Sequence, residues 1–184
     1  MEVFYNIMKK HESCQSSIQD CITRKAFSIA HLYHEEKTMD IHIHDCYEMY
    51  YSISGGKQFL IDNKLYDILP GDIFVINQYE SHYLCKIDQM LHERIVISIH
   101  QEYIKNISTE KTDLKACFTE RYGKEPHRIS LNKEQQSRFM YYINKLTTDN
   151  DYGKDILDKS TFMELLVMIN SLFIKDPYDT PTES

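Results

Sequence analysis

The sequence predicts a small β-sandwich or barrel over residues 26–100, followed by an antiparallel pair of helices. Seven or eight short segments rich in β-branched and aromatic residues follow one another closely, divided by turn chemistry such as Asp62-Asn63-Lys64 and Pro70-Gly71-Asp72. After residue 130 the apolar period changes, with Phe139, Ile143 and Leu146 on one helical stripe. Inside the β-rich part, His42-Ile43-His44-Asp45-Cys46-Tyr47-Glu48 sets two imidazoles and a carboxylate at even offsets, which an extended strand presents on one face.

Taken in order, residues 1–25 have mixed polarity and no firm period, and form an N-terminal arm or a short helix. Residues 26–33 alternate Phe27, Ile29, His31 and Tyr33 against Ser28, Ala30 and Leu32, a first strand. Residues 41–53 make a longer strand region that Ser54-Gly55-Gly56 closes. Residues 58–61 and 65–69 form a hairpin, residues 73–76 a short apolar strand, and residues 83–87 and 93–99 two more. Beyond Ile99, residues 101–108 and 112–121 have the pattern of short helices, which Gly123 and Pro126 interrupt. Ser130 is placed to cap a helix over residues 131–147. A second helix covers residues 154–175, and its Leu165, Leu166, Ile169, Leu172 and Phe173 exceed what one packing stripe needs. Such a surplus suits the isologous seam of a homodimer. The tail, residues 176–184, carries Pro177 and Pro181 and begins a linker. The expected units are thus an arm over 1–25, the β unit over 26–100, helices over 101–175 and linker from 176.

Bulk properties exclude some functions. With 42% hydrophobic and 27% charged residues this is ordinary globular material, and a net charge of -7 argues against gripping nucleic acid directly. No apolar run reaches the length of a membrane span, and Met1-Glu2-Val3-Phe4-Tyr5 lacks the features of a signal peptide, so a cytoplasmic protein away from membranes is expected. The five scattered cysteines fit free thiols in a reducing compartment. Cys46, sharing strand parity with His44 and Glu48, is open to reading as a sulfur ligand or a small buried thiol.

His82, eleven residues after Gly71, adds a third imidazole. His42, His44, Glu48 and His82 could together hold Zn, Ni, Fe or Mn, and the donor set does not choose among them. The same four residues could instead be hydrogen-bonded polar walls of a pocket. Tyr50 and Ser52 continue the lumenal row of Glu48, and Tyr79, just ahead of His82, would narrow the mouth. Fourteen tyrosines without a tryptophan suit a polar, ring-bearing ligand such as a sugar. His92 and His100 have no partner spacing and are expected to be surface or structural. No separate acid–base pair stands out, so no catalytic residue is assigned.

These segments resemble the two signature motifs of the cupin superfamily. The first matches from His42 to Gly55; the second keeps Gly71 and His82 but has Asn77 and Tyr79 where proline and glycine are usual. Combined with Leu69-Pro70-Gly71-Asp72-Ile73, the strand Arg94-Ile95-Val96-Ile97-Ser98-Ile99 and the helix pair, the chain is similar to the N-terminal effector-binding and dimerisation domain of bacterial AraC-type transcription regulators. The resemblance implies a cupin-like barrel (a double-stranded β-helix or jelly roll), a small-molecule effector such as a sugar or other polar metabolite, and a homodimer. It also implies contact with DNA only through a basic helix-turn-helix region, for which the residues up to Ser184 leave no room; a chain cut at the linker is the expectation. The competing reading is a small metal-dependent cupin enzyme, a dioxygenase or an isomerase.

Overall fold

The structure, a computed structural model, describes residues 13–36, 41–56, 58–85, 90–121, 125–149 and 152–174. The expectations for residues 1–12, for Gly123 and for the tail from 175 lie outside these. Helix α1 (Cys14–Arg24) comes first, capped by the Ser13 side chain. Seven strands follow: β1 (Phe27–Glu36), β2 (Tyr47–Ser52), β3 (Gln58–Ile61), β4 (Lys64–Asp67), β5 (Asp72–Ile76), β6 (His82–Cys85) and β7 (Met90–Ile99). Then come α2 (Gln101–Ile107), the single turn α3 (Ala116–Thr119), β8 (Arg128–Ser130), α4 (Lys133–Thr147) and α5 (Lys154–Phe173). Among the described residues no helix is long and apolar enough to cross a membrane.

The strands form two antiparallel sheets, ordered β1-β7-β2-β5-β8 and β4-β3-β6. Phe59 of the smaller sheet meets Tyr50 and Phe74 of the larger one at ring separations of 5.0 and 5.2 Å, so the sheets face each other. The result is the cupin-like sandwich, mainly β with helices at its C-terminal end. Among the described residues its two sheets are separate hydrogen-bonded units rather than one continuous ring.

Every residue of β2 is buried because the larger sheet is covered on both sides. Met49, Tyr51, Ile73, Val75, Ile95 and Ile97 point toward the helices and pack with Phe139, Ile143, Phe162, Leu165, Leu166 and Ile169. Residues of the opposite parity, including Tyr50, Phe74, Ile76 and Val96, meet the smaller sheet. Each large apolar side chain buried in this way contributes about 1.5–3 kcal/mol. Asn170 ties α5 inward: its side chain accepts from the Cys117 amide and donates to the Leu114 carbonyl.

Several boundaries differ from the sequence expectation. Ser130 belongs to β8, and the cap of α4 is Asn132, whose capping box with Gln135 satisfies two amides reciprocally. Helical structure between 112 and 121 is limited to α3. Leu165, Leu166 and Ile169 are wholly buried in the chain's own core and present nothing to a second copy, while Leu172 and Phe173 are partly buried at its edge. The surplus surface is spent internally because α5 packs on both the sheet and α4.

Gly71 fixes how the helices meet the sheet. Its φ is +91° and a Cβ would run into the Gln136 carboxamide. Its amide donates to the Ser52 carbonyl, and its own carbonyl accepts from the Leu131 amide at the entrance to α4.

Candidate metal centre

The strand parity of β2 places Glu48 between the sheets, where it is 2% exposed. His42 and His44 do not continue that strand as expected. Residues 43 and 44 belong to no strand, the chain bends at Asp45 and Cys46, and His42 instead makes an isolated antiparallel bridge with His82 at the start of β6. Both amides of that bridge are used, His42 to His82 and back, at 3.2 and 3.3 Å. The bend turns the His44 ring back over Glu48.

Together these elements gather His42, His44, Glu48 and His82 so that one ligand atom from each lies within 4.8 Å of all the others. His44 Nε2 is 3.0 Å from Glu48 Oε2 and His82 Nε2 is 3.8 Å from it, the second an electrostatic contact rather than a hydrogen bond. His82 Nδ1–H donates to the Glu80 carbonyl at 2.9 Å, and His44 Nδ1 lies 3.1 Å from the Cys46 carbonyl. With Nδ1 engaged, each ring turns Nε2 toward the carboxylate, an arrangement typical of metal-binding imidazoles. Cys46 is a buried thiol whose sulfur sits 3.3 Å from His44 Nδ1, behind the ring and away from Nε2.

Electrostatics couple the group. Burial opposes charge on His44, but its hydrogen bonds to Cys46 and Glu48 outweigh that and raise its pKa to about 10. Burial likewise works against ionised Glu48, yet His44 and His82 hold it well below the usual carboxylate range. His82 is raised, with the Glu48 carboxylate overcoming the cost of burial. The carboxylate is therefore ionised, as a metal ligand must be, while the imidazoles it holds protonated must give up their Nε2 protons before they can ligate.

Among the described residues the fit to a metal is testable on one atom. His82 Nε2 is buried without a hydrogen-bond partner, although its neighbour Nδ1 is fixed. Buried polar atoms are rarely left so, and an orphan aimed at a carboxylate between two further imidazoles matches a ligand position. The void beside it, lined by His42, Glu48, Tyr50, Phe59, His82 and Arg94, measures about 20 Å³. That is enough for one water or one ion.

The remaining expected site residues are placed differently. Tyr50 lines the void with its ring, but its hydroxyl bonds His92 Nε2. Ser52 lies away from it and accepts from the Gly55 amide, closing the turn after β2. Tyr79 is on the surface, 64% exposed, at a left-handed φ of 58°. Its amide donates to the His44 carbonyl, so it staples the mouth from outside. His92 is fully buried and structural, its Nδ1 on the Gly55 carbonyl, and His100 caps α2.

Two features escaped the sequence. Arg94, 2% exposed, reaches the lumen beside Glu48 and donates to the His92 carbonyl; its parity with Val96 and Ser98 was the available signal. Glu80 binds Arg121 and His127 behind His82, and their separation of more than forty residues left no local pattern.

The chain belongs to the AraC-like ligand binding domain family, which it matches over residues 26–166. It is thus an effector-sensing domain of the AraC type. ToxT from Vibrio cholerae is a structural neighbour at 16% identity and TM-score 0.48, over 84% of this chain and 61% of that one. The DMSP lyase DddQ from Ruegeria pomeroyi aligns at 18% identity and TM-score 0.37, over 41% and 39%. A cupin protein from Bacteroides fragilis aligns at 19% identity and TM-score 0.34, over 41% and 64%. The matches span less than two thirds of each of these proteins. No curated protein matches the chain.

Proposed function

We propose that this domain senses a divalent transition-metal ion held by His42, His44, Glu48 and His82, in a cytoplasmic regulator whose helix-turn-helix region contacts DNA. The orphaned Nε2 of His82, set against Glu48 with its other nitrogen pinned, is the observation that carries this reading. Three imidazoles and a carboxylate admit Zn, Ni, Fe or Mn. The ion would supply charge that binds the ligands into one unit, and His44 and His82 would release their Nε2 protons to solvent as it bound.

The size of the void supports an ion over a sugar. Pockets for organic ligands run to roughly 300–1,000 Å³, whereas this one is about 20 Å³. The same small volume favours sensing over a dioxygenase or isomerase, which needs room for substrate beside the metal. Equilibrium dialysis against Zn²⁺, Ni²⁺, Mn²⁺ and Fe²⁺ tests the reading: one ion per chain, lost in His82→Ala, is expected. Failure of every ion to bind, with thermal stability unchanged by exhaustive chelation, overturns it.

We also propose a homodimer through the outer face of α4 and α5, which keeps Leu172 of the expected seam and leaves out the buried Leu165, Leu166 and Ile169. A groove of about 710 Å³ lies there, bordered by Arg138, Tyr142, Met163, Val167 and Leu172. Val167, 48% exposed, is the accessible apolar residue at its rim. Val167→Glu should leave the fold intact and halve the mass found by light scattering; a native chain that stays monomeric at all micromolar concentrations refutes the dimer.

A further inference from the structure

Behind His82 the chain builds a second polar cluster that takes no part in holding an ion. The Glu80 carboxylate accepts four hydrogen bonds. Arg121 grips it in fork geometry at 2.8 and 3.0 Å, His127 Nε2 approaches at 3.0 Å, and the Asn77 amide donates at 2.9 Å. His127 is itself held from behind by the Tyr66 hydroxyl at 2.7 Å. Arg121 also donates to the Val75 carbonyl, and the Val75 amide donates to the His127 carbonyl. Charge-assisted fork bonds of this kind fix orientation as well as energy.

The cluster touches two parts of the molecule that share no other direct bond described above. On one side the Glu80 carbonyl holds His82 Nδ1. On the other, His127 leads straight into β8, which pairs with β5, and from there through Leu131 to the cap of α4 at Asn132. Ligand atoms around one ion, each about 2.0–2.2 Å from it, sit closer together than the 4.8 Å spread of this cluster. Drawing His82 inward therefore pulls on the 77–82 loop, whose Glu80 carboxylate is anchored to Arg121 and to His127, the residue that precedes β8.

We infer that Glu80 is a positioning residue that couples occupancy of the metal centre to β8 and the start of α4, through its carbonyl on His82 and its carboxylate on Arg121 and His127. This rests on the metal reading above and specifies how that site is regulated. Because coupling between sites is reciprocal, loosening the clamp alters metal affinity by the factor with which metal tightens the clamp.

The test compares the native chain with Glu80→Gln, which keeps the shape and removes the charge. Zn²⁺ affinity is measured by competition with a chromophoric chelator, and amide hydrogen exchange at Val75, residues 128–131 and the first turn of α4 is followed with and without Zn²⁺. In the native chain Zn²⁺ should slow exchange in these amides at least about fivefold. Glu80→Gln should still bind Zn²⁺, roughly 10–100-fold more weakly, while exchange at those amides no longer responds. A merely structural role would change exchange equally in both metal states. If circular dichroism shows that Glu80→Gln does not fold, Arg121→Gln serves in its place. Zn²⁺ binding without an exchange response in the native chain, or the same response in the variant, overturns the coupling alone. Absence of Zn²⁺ binding in the native chain overturns the metal reading and the coupling with it.

Discussion

The two faces of the larger sheet use the same three strands for opposite ends. Toward the helices β2, β5 and β7 send Met49, Tyr51, Ile73, Val75, Ile95, Ile97 and Ile99, every one apolar or nearly so. Toward the smaller sheet the alternate residues include Glu48, His92, Arg94 and Ser98, all buried. Burying charge and unpaired hydroxyls costs free energy that apolar substitutes would avoid. The helix-facing layer is built for stability, and the inter-sheet layer gives some of it up to hold chemistry.

Breaking the first layer should have the largest effect. Phe139 is wholly buried between α4 and the sheet, and Phe139→Ala should cost about 3–5 kcal/mol in urea unfolding. Metal affinity of the fraction that remains folded should be little changed. An equal loss of affinity would mean that the two layers are not separable.

Glu48→Gln should do the reverse. The amide keeps the shape and can still meet His44, so the metal-free chain should still fold. Zn²⁺ affinity should fall by at least about 100-fold, beyond the effect of disturbing an outer partner. A variant that keeps native affinity would reduce Glu48 to pocket polarity.

Acid sharpens the contrast next. Burial opposes ionisation of Glu80, but His127, Arg121 and the Asn77 amide hold its pKa down to about 2. A depressed folded value means that the stabilisation is present above the ordinary carboxylate pKa, near 4.5, and disappears as pH falls from there toward 2. Glu80→Gln should flatten the pH dependence of unfolding in that window and leave it unaltered near pH 7. An unchanged acid slope would show that the clamp does not titrate as a unit.

The smallest effect belongs to the mouth. Tyr79 holds a left-handed φ of 58° that an L side chain adopts at a cost of about 1–2 kcal/mol. Tyr79→Gly should stabilise the fold slightly, by about 1 kcal/mol or less once the lost side chain is counted, read as a small rise in the melting midpoint. A lower midpoint would mean that the ring contributes more than the strain it imposes.

The sequence made the layers legible because parity in a doubly covered strand is rigid. Once Glu48 was assigned inward, Met49 and Tyr51 had to face the helices. The four-residue cluster was also legible, though for a partly different reason, since His42 joins through a bridge to His82 and not through β2. What was hidden depends on contacts distant in sequence. Three residues, Arg128 to Ser130, are a strand only because β5 lies beside them. Leu165, Leu166 and Ile169 look like surplus until two neighbours cover α5 at once. Ser52 had the right parity, but the turn at Gly55 claimed its hydroxyl first.

The late arrival of β8 has a consequence for biosynthesis. β5 is a wholly buried strand, Asp72–Ile76, and its outer edge is closed by Arg128–Ser130 together with His127 and Arg121, more than forty residues further along. While a ribosome is still making that stretch, the nascent sandwich carries an open edge bearing Ile73 and Phe74, the kind of edge that recruits foreign strands. The final strand is thus a seal applied last. A chain released before Arg128 has the other seven strands and an edge of β5 that is free to pair with a neighbouring polypeptide.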